Sequence, residues 1–309
     1  MPTRPAPSTK ETTRSAGRRR RISRIAVGVD GYPEGRDAAA LGSAVAEITA
    51  AELMLVAVDP LPLVVLPSGL DWKSLHQSSE TTLHELRATV TPGARTVLET
   101  DLSVARALHR VIRRERRDLL VVGSSRRGAE GCVRIGKRTR QLLCNFECAL
   151  AVAPRGLHKE APVTITTIGV GYDGGAESEA ALALADSIAA SAGAQLRLRG
   201  IMDDRIPMLL RSALGGLVSV TWNDALEIER RRLQSQGTTA ASSCRAAATF
   251  DLLRGRPADA LLSLSQDVDL LVIGSRRWGP AARVLLGSTG EALLHDARCP
   301  VMAVQRPPH

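Results

Sequence analysis

The sequence predicts an α/β protein made of two tandem, doubly wound parallel sheets of five strands each. Three observations carry that prediction. The chain has 309 residues, about twice the 150 or so typical of one domain, so it can bury two modest cores. Segment 118–155 aligns without gaps to 269–306 with 14 of 38 positions identical, and 25–41 aligns to 168–184 with 9 of 17. That self-similarity marks a duplication. Within each copy, short β-branched runs alternate with Ala-rich stretches of helical spacing, the pattern of βαβ crossovers under a parallel sheet covered on both faces.

Taken in order, residues 1–22 form a tail rich in Pro, Ser, Thr and Arg, which is expected to be disordered because it has almost nothing apolar to bury. Residues 1–24 hold eight basic groups against the single acid Glu11, a net +7 of the chain's +9. The body is therefore close to neutral. The first copy, 23–155, should place strands near 24–29, 53–58, 95–100, 118–122 and 149–153. Residues 156–163, GLHKEAPV, make a short polar linker with Gly156 and Pro162. The second copy, 164–306, should place strands near 165–172, 195–201, 247–253, 269–273 and 300–304. The offset between copies grows from 143 to 151, so the second gains eight residues in its middle. Segments 61–72 and 206–222, which follow the second strands, do not match each other and are where partner specificity is expected.

Composition excludes several classes. Apolar residues make up 44% and charged residues 24%, as in folded globular proteins. The longest apolar runs, 53–58 and 61–66, fall short of the 18 or so residues that span a bilayer, so no integral membrane protein is expected. Aromatic residues are only 2%, too few for base-stacking platforms. Nucleic-acid contact is expected to be weak at most, and through the basic tail. No apolar signal segment follows Arg21, which points to a cytoplasmic protein. Cys132, Cys144, Cys148, Cys244 and Cys299 are an odd set without a CxxC pair; reduced thiols are expected, with Cys148 and Cys299 as apolar filling at matching strand starts. No His, Cys and acid spacing suggests a metal site.

The chemistry should lie beyond the carboxyl ends of the strands, where strand order reverses. The first strand of each copy delivers an acid and a glycine, Asp30-Gly31 and Asp173-Gly174. The fourth delivers Gly123-Ser124 and Gly274-Ser275, then a loop and a helix starting near Gly136 or Gly287. If strands one and four are neighbours, acid and loop face each other across one crevice. Unpaired loop amides and a helix start attract phosphate. The plainer reading of Asp30 and Asp173 is a turn in which the carboxylate accepts backbone amides.

Strand, Gly-x2-Gly-x9-Gly-Ser/Thr, helix and a closing LLHDARCPV (293–301), with an early VGVDG (27–31), resemble the universal stress protein family in its tandem form. The resemblance implies a flavodoxin-like strand order in an adenine nucleotide alpha hydrolase-like fold, and adenine nucleotide, ATP above all, bound at this crevice during stress response. By position, it implies nucleotide contacts from Asp173, Gly174, Gly274, Arg277, Gly287, Ser288 and Thr289 in the second copy. The first copy offers Asp30, Gly123, Arg126, Gly136 and Lys137. Arg126 and Arg277 replace the second glycine of the pattern, and Lys137 replaces its hydroxyl residue. A left-handed arginine there costs about 1–2 kcal/mol, against roughly 8 kcal/mol for micromolar binding, too little to abolish binding, and the second copy is expected to be the better binder and the first the poorer. Occupancy is expected to alter association with an unknown protein partner, and a further homodimer is compatible with the sequence.

Two other readings stand beside it. One is a nucleotide-cleaving enzyme on the same sheet, with Ser288 or Lys137 assisting phosphoryl departure; no acid–base pair or activated nucleophile supports it. The other is a structural pseudo-dimer whose copies pack through their last strands without binding nucleotide. Residues 131–138 imitate a P-loop up to Lys137 but put Arg138 where a hydroxyl is needed. GVGYDG (169–174) fits GxGxxG by letter, with two of its glycines inside a strand. His295 is expected to be solvated or capping, and Trp278 to cover a ligand or pack against the other copy.

Overall fold

The structure, a computed structural model, describes residues 21–59, 72–143, 148–160, 162–203, 219–278, 283–285 and 287–305. The tail to residue 20, Cys144, and the two unmatched segments up to residues 71 and 218 lie outside them. The first copy runs β1 (Arg24–Gly28), α1 (Pro33–Thr49), β2 (Glu52–Asp59), α2 (Trp72–Thr89), β3 (Arg95–Thr100), α3 (Val104–Glu115), β4 (Leu119–Gly123), α4 (Lys137–Leu143) and β5 (Ala149–Ala153). The second runs β6 (Thr167–Gly171), α5 (Ala176–Ala192), β7 (Gln195–Met202), α6 (Ser219–Ser242), β8 (Ala248–Arg254) and α7 (Pro257–Leu264). It ends with β9 (Leu270–Trp278), β10 (Arg283–Leu285), α8 (Ser288–Asp296) and β11 (Val301–Gln305).

The strands join in the order β3-β2-β1-β4-β5-β11-β9-β6-β7-β8, with β10 paired only to β9. Each half thus follows 3-2-1-4-5, with the reversal between its first and fourth strands. The flavodoxin-like order would put the third strand beside the first. Burial explains the difference. β4, LLVVG, is buried along almost its whole length and pairs with β1, whereas β3, RTVLET, is partly exposed throughout and suits an edge.

The two halves share one sheet. β5 pairs with β11 antiparallel, Val152 opposite Val301 and Leu150 opposite Ala303, so the copies do pack through their last strands. Both strands are buried at every residue and carry no charge that would protect a free edge. One face of the sheet is covered by α1, α2 and α5 through residues such as Leu41, Leu86 and Ile188. The other is covered by α3, α7 and α8 through Val111, Leu264 and Leu293.

Two repeated acids lock the halves internally. Asp118 Oδ2 accepts the Ser23 and Arg24 amides at 2.9 Å each and the Ser23 hydroxyl at 2.8 Å. Asp269 does the same for Thr166 and Thr167 at 2.8–2.9 Å. Each ties the start of a fourth strand to the start of a first. The linker is held as well: Asp37, fully buried in α1, accepts the Gly156 and His158 amides at 2.9 Å and faces the His158 ring.

Candidate functional site

Because β1 and β4 are neighbours, as are β6 and β9, each predicted acid stands beside the end of the fourth strand of its copy. In the second copy Asp173 Oδ1 accepts the Gly175 amide and the Ser178 hydroxyl, both at 2.8 Å. It thereby orders the first turn of α5, the turn role that was the plainer reading. In the first copy the Tyr32 amide reaches Asp30 Oδ1 at 3.3 Å, a weaker version of the same turn. Close packing around the Asp30 carboxyl raises its pKa; the Tyr32 amide opposes the rise, Glu34 adds to it, and Arg126 and Arg138 oppose it.

The glycines divide into two kinds. A Cβ on Gly123 would sit 2.1 Å from the Glu34 carbonyl oxygen, and one on Gly274 would sit 2.6 Å from the Glu177 carbonyl. Both glycines admit the first turn of the first helix, so their smallness is a packing requirement rather than an opening for an anion. Among the described residues, Gly136 would meet only the Ser125 side chain at 3.7 Å, and Gly287 would meet nothing within 4 Å. These two stand open. Ser124 and Ser275, buried, donate to Ala153 and Val304 carbonyls at 2.7 and 3.1 Å and tie the fourth strand to the fifth.

The loop after the fourth strand differs from expectation. In the second copy β9 continues past residue 273 to Trp278 and turns back as β10, with Arg276 opposite Leu285 and Arg277 opposite Val284. Arg277 and Trp278 therefore lie on a strand. The first copy makes the same fold-back with one bond, Ser125 amide to Arg134 carbonyl at 2.6 Å. Most of its amides are paired. Those of Gly128, Gly131 and Cys132 donate within the first copy, the Arg134 amide goes to Ser124 Oγ, and those of Val133 and Ile135 reach the carbonyls of Ala297 and Leu294 at 2.8 and 2.9 Å. Nor is Arg126 strained: among described non-glycine residues only Ala50 and Arg116 have positive φ. The Arg126 guanidinium lies over the Tyr32 ring, 3.7 Å from its centroid, and this cation–π contact bridges the mouth of the first crevice.

Lys137 is exposed and opens α4; Ser288 and Thr289 open the nine-residue α8, Ser288 exposed and Thr289 half-buried. His295 has a partner from the other copy: Arg140 of α4 spans the copies to Glu291 at 2.7 Å and the His295 ring at 3.1 Å. Sequence reasoning missed the residues that cover the second crevice. Gln236 of α6 lies against Gly174, whose φ is +74°, and Arg232 is drawn toward Asp173 while donating to Gln236 at 2.8 Å. A groove of about 530 Å³ between α5 and α6 begins there, lined by Tyr172, Gly174, Gln236 and Cys244 among others. The clue was partial: the net eight-residue gain falls in the middle of the second copy, where α6 has 24 residues against 18 in α2. Among the described residues no group of His, Cys and acids could hold a metal, and no helix is long and apolar enough to cross a membrane.

A duplicated 3-2-1-4-5 α/β fold, with an acid just past each first strand beside the fourth at the switch point, defines a tandem protein of the doubly wound class. The universal stress protein family model matches residues 21–154 and again 164–305. The chain belongs to the universal stress protein family, in a tandem arrangement. It is 28% identical over 197 residues to the universal stress protein Rv2005c of Mycobacterium tuberculosis, a match over 61% of this chain and 62% of that one. The matched region thus spans under two thirds of that relative's length. A universal stress protein of Archaeoglobus fulgidus superposes with a TM-score of 0.67 at 15% identity, covering 92% of this chain and 98% of its own. PA1789 of Pseudomonas aeruginosa, a protein of unknown function, superposes at 0.60 with 16% identity over 92% and 93%. Both likenesses concern the fold.

Proposed function

We propose that the chain is a cytoplasmic adenine-nucleotide-binding module of the stress response, with ATP held chiefly in the second copy. Occupancy changes its association with a protein partner; turnover is not its task. The observation that supports this most is Gly287. No described residue crowds its Cα side, and it precedes Ser288 and Thr289 at the head of α8, whose first amides and dipole favour a phosphate. The Asp173–Gly174 turn stands on the neighbouring strand. The first copy is the poorer site, because most of its loop amides are engaged and Arg126 rests across its mouth on Tyr32.

Calorimetric titration of the full chain with ATP, ADP and AMP tests the reading. One binding event per chain is expected, lost in Gly287→Arg and retained in Gly136→Arg. Absence of heat and of competition from all three, in folded protein, would refute it and leave the structural pseudo-dimer. Chromatography of ATP incubated with the protein separates binding from cleavage: steady ADP release that falls in Ser288→Ala or Lys137→Ala would favour the enzyme.

A further inference from the structure

The two copies differ most in the charge of the loop that closes each crevice, a difference the nucleotide reading leaves unused. Arg126, Arg127, Arg134, Lys137 and Arg138 are all exposed in the first copy. The matching positions of the second are Arg277, Trp278, Leu285, Ser288 and Thr289. The fold-back gathers the five cations. Ser125 bonds to Arg134 and its side chain packs beside Gly136, so residues 126–127, 134 and 137–138 leave one corner of the loop. None of the five has an ion-pair partner among the described residues. Nearby acids are otherwise engaged: Glu130 pairs with Lys159 and Glu291 with Arg140, while Glu34 is buried beside Arg155. Arg126 and Arg138 both lie near enough to the Asp30 carboxyl to lower its pKa.

We propose that this rim is a binding surface for a linear phosphate chain, inorganic polyphosphate. With most loop amides turned inward, contact with an anion falls to side chains, and five clustered cations fit closely spaced phosphates. Bases would find little here. The exposed ring nearest the cluster, Tyr32, already lies under Arg126, and base recognition needs stacking surfaces. The inference does not depend on either crevice holding a nucleotide.

Fluorescence anisotropy with end-labelled polyphosphate and the full chain, repeated over a salt series, tests it. Wild type should bind, and R127Q/R134Q/R138Q should bind at least tenfold more weakly. The slope of log affinity against log salt should become shallower by about 2, as expected from three lost counterion-releasing contacts. The pair K137Q/R138Q repeats the test without touching Arg134, which packs against Gly128. The tail variant R18S/R19S/R20S/R21S should retain most of the binding. Unchanged affinity in both loop variants, loss of binding only in the tail variant, or equal competition by an RNA of the same phosphate count would each overturn the proposal. ATP titration of the same loop variants reports separately on the nucleotide reading.

Discussion

At the residue scale, Gly123 and Gly274 show how a functional pattern can be a packing rule. The letters suggest backbone laid bare for phosphate, yet the space beside each is filled by the carbonyl of Glu34 or Glu177. Gly123→Ala and Gly274→Ala should each destabilise by about 1–3 kcal/mol or more through overpacking, measured as a lower urea midpoint, with or without nucleotide. Asp173 combines both roles. Asp173→Ala removes two acceptor contacts at the start of α5 and should cost about 1 kcal/mol, so loss of ligand in that variant has to be read against its stability. The buried thiol of Cys299 is pushed up to about 12 by burial, and Cys244 to about 11 for the same reason. In the unfolded chain these thiols ionise near 8.5. Above that pH the unfolded state loses protons that the folded state keeps, so stability should fall as pH rises from about 9. Denaturant melts of Cys299→Ser against wild type at pH 7.5 and 10 check it: the variant should lose less on the alkaline step.

At the element scale, the strands were legible because each is a short apolar run between helical spacings. The strands expected at 53–58, 95–100 and 149–153 recur as β2, β3 and β5, β3 and β5 with those very bounds. What escaped was non-local. The extension of β9 depends on β10 as an antiparallel partner, and polar RRW carries no local strand signal. The engagement of Val133 and Ile135 depends on carbonyls about 160 residues away at the end of α8, which no spacing within the loop can report. The crevice itself, as the meeting of two strand ends, was legible; its occupancy by hydrogen bonds was not. Asp118 and Asp269 each hold three donors and align in the repeat. Bonds to a charged acceptor are worth about 1.5–3 kcal/mol in total effect when one partner is lost, so Asp118→Ala should lower the thermal midpoint. Asp269→Ala should lower it similarly, and the double variant should approach the sum because the sites are independent.

At the scale of the whole molecule, the β5–β11 seam makes the halves mutually dependent. Separating them would expose an uncharged, mostly apolar strand on each. Residues 23–155 expressed alone should therefore self-associate through β5, seen as a dimer or larger species in sedimentation, whereas the full chain keeps that edge covered. Unfolding of the full chain should be a single cooperative transition; two resolved calorimetric peaks would contradict a shared core. The seam's antiparallel sense also fixes where the two mouths point. Strands in one half run against those in the other, so the crevices open toward opposite rims of the sheet, and a flat-faced body clamped over one leaves its twin uncovered. Anything held at one mouth would therefore lie at the far rim from anything held at the other.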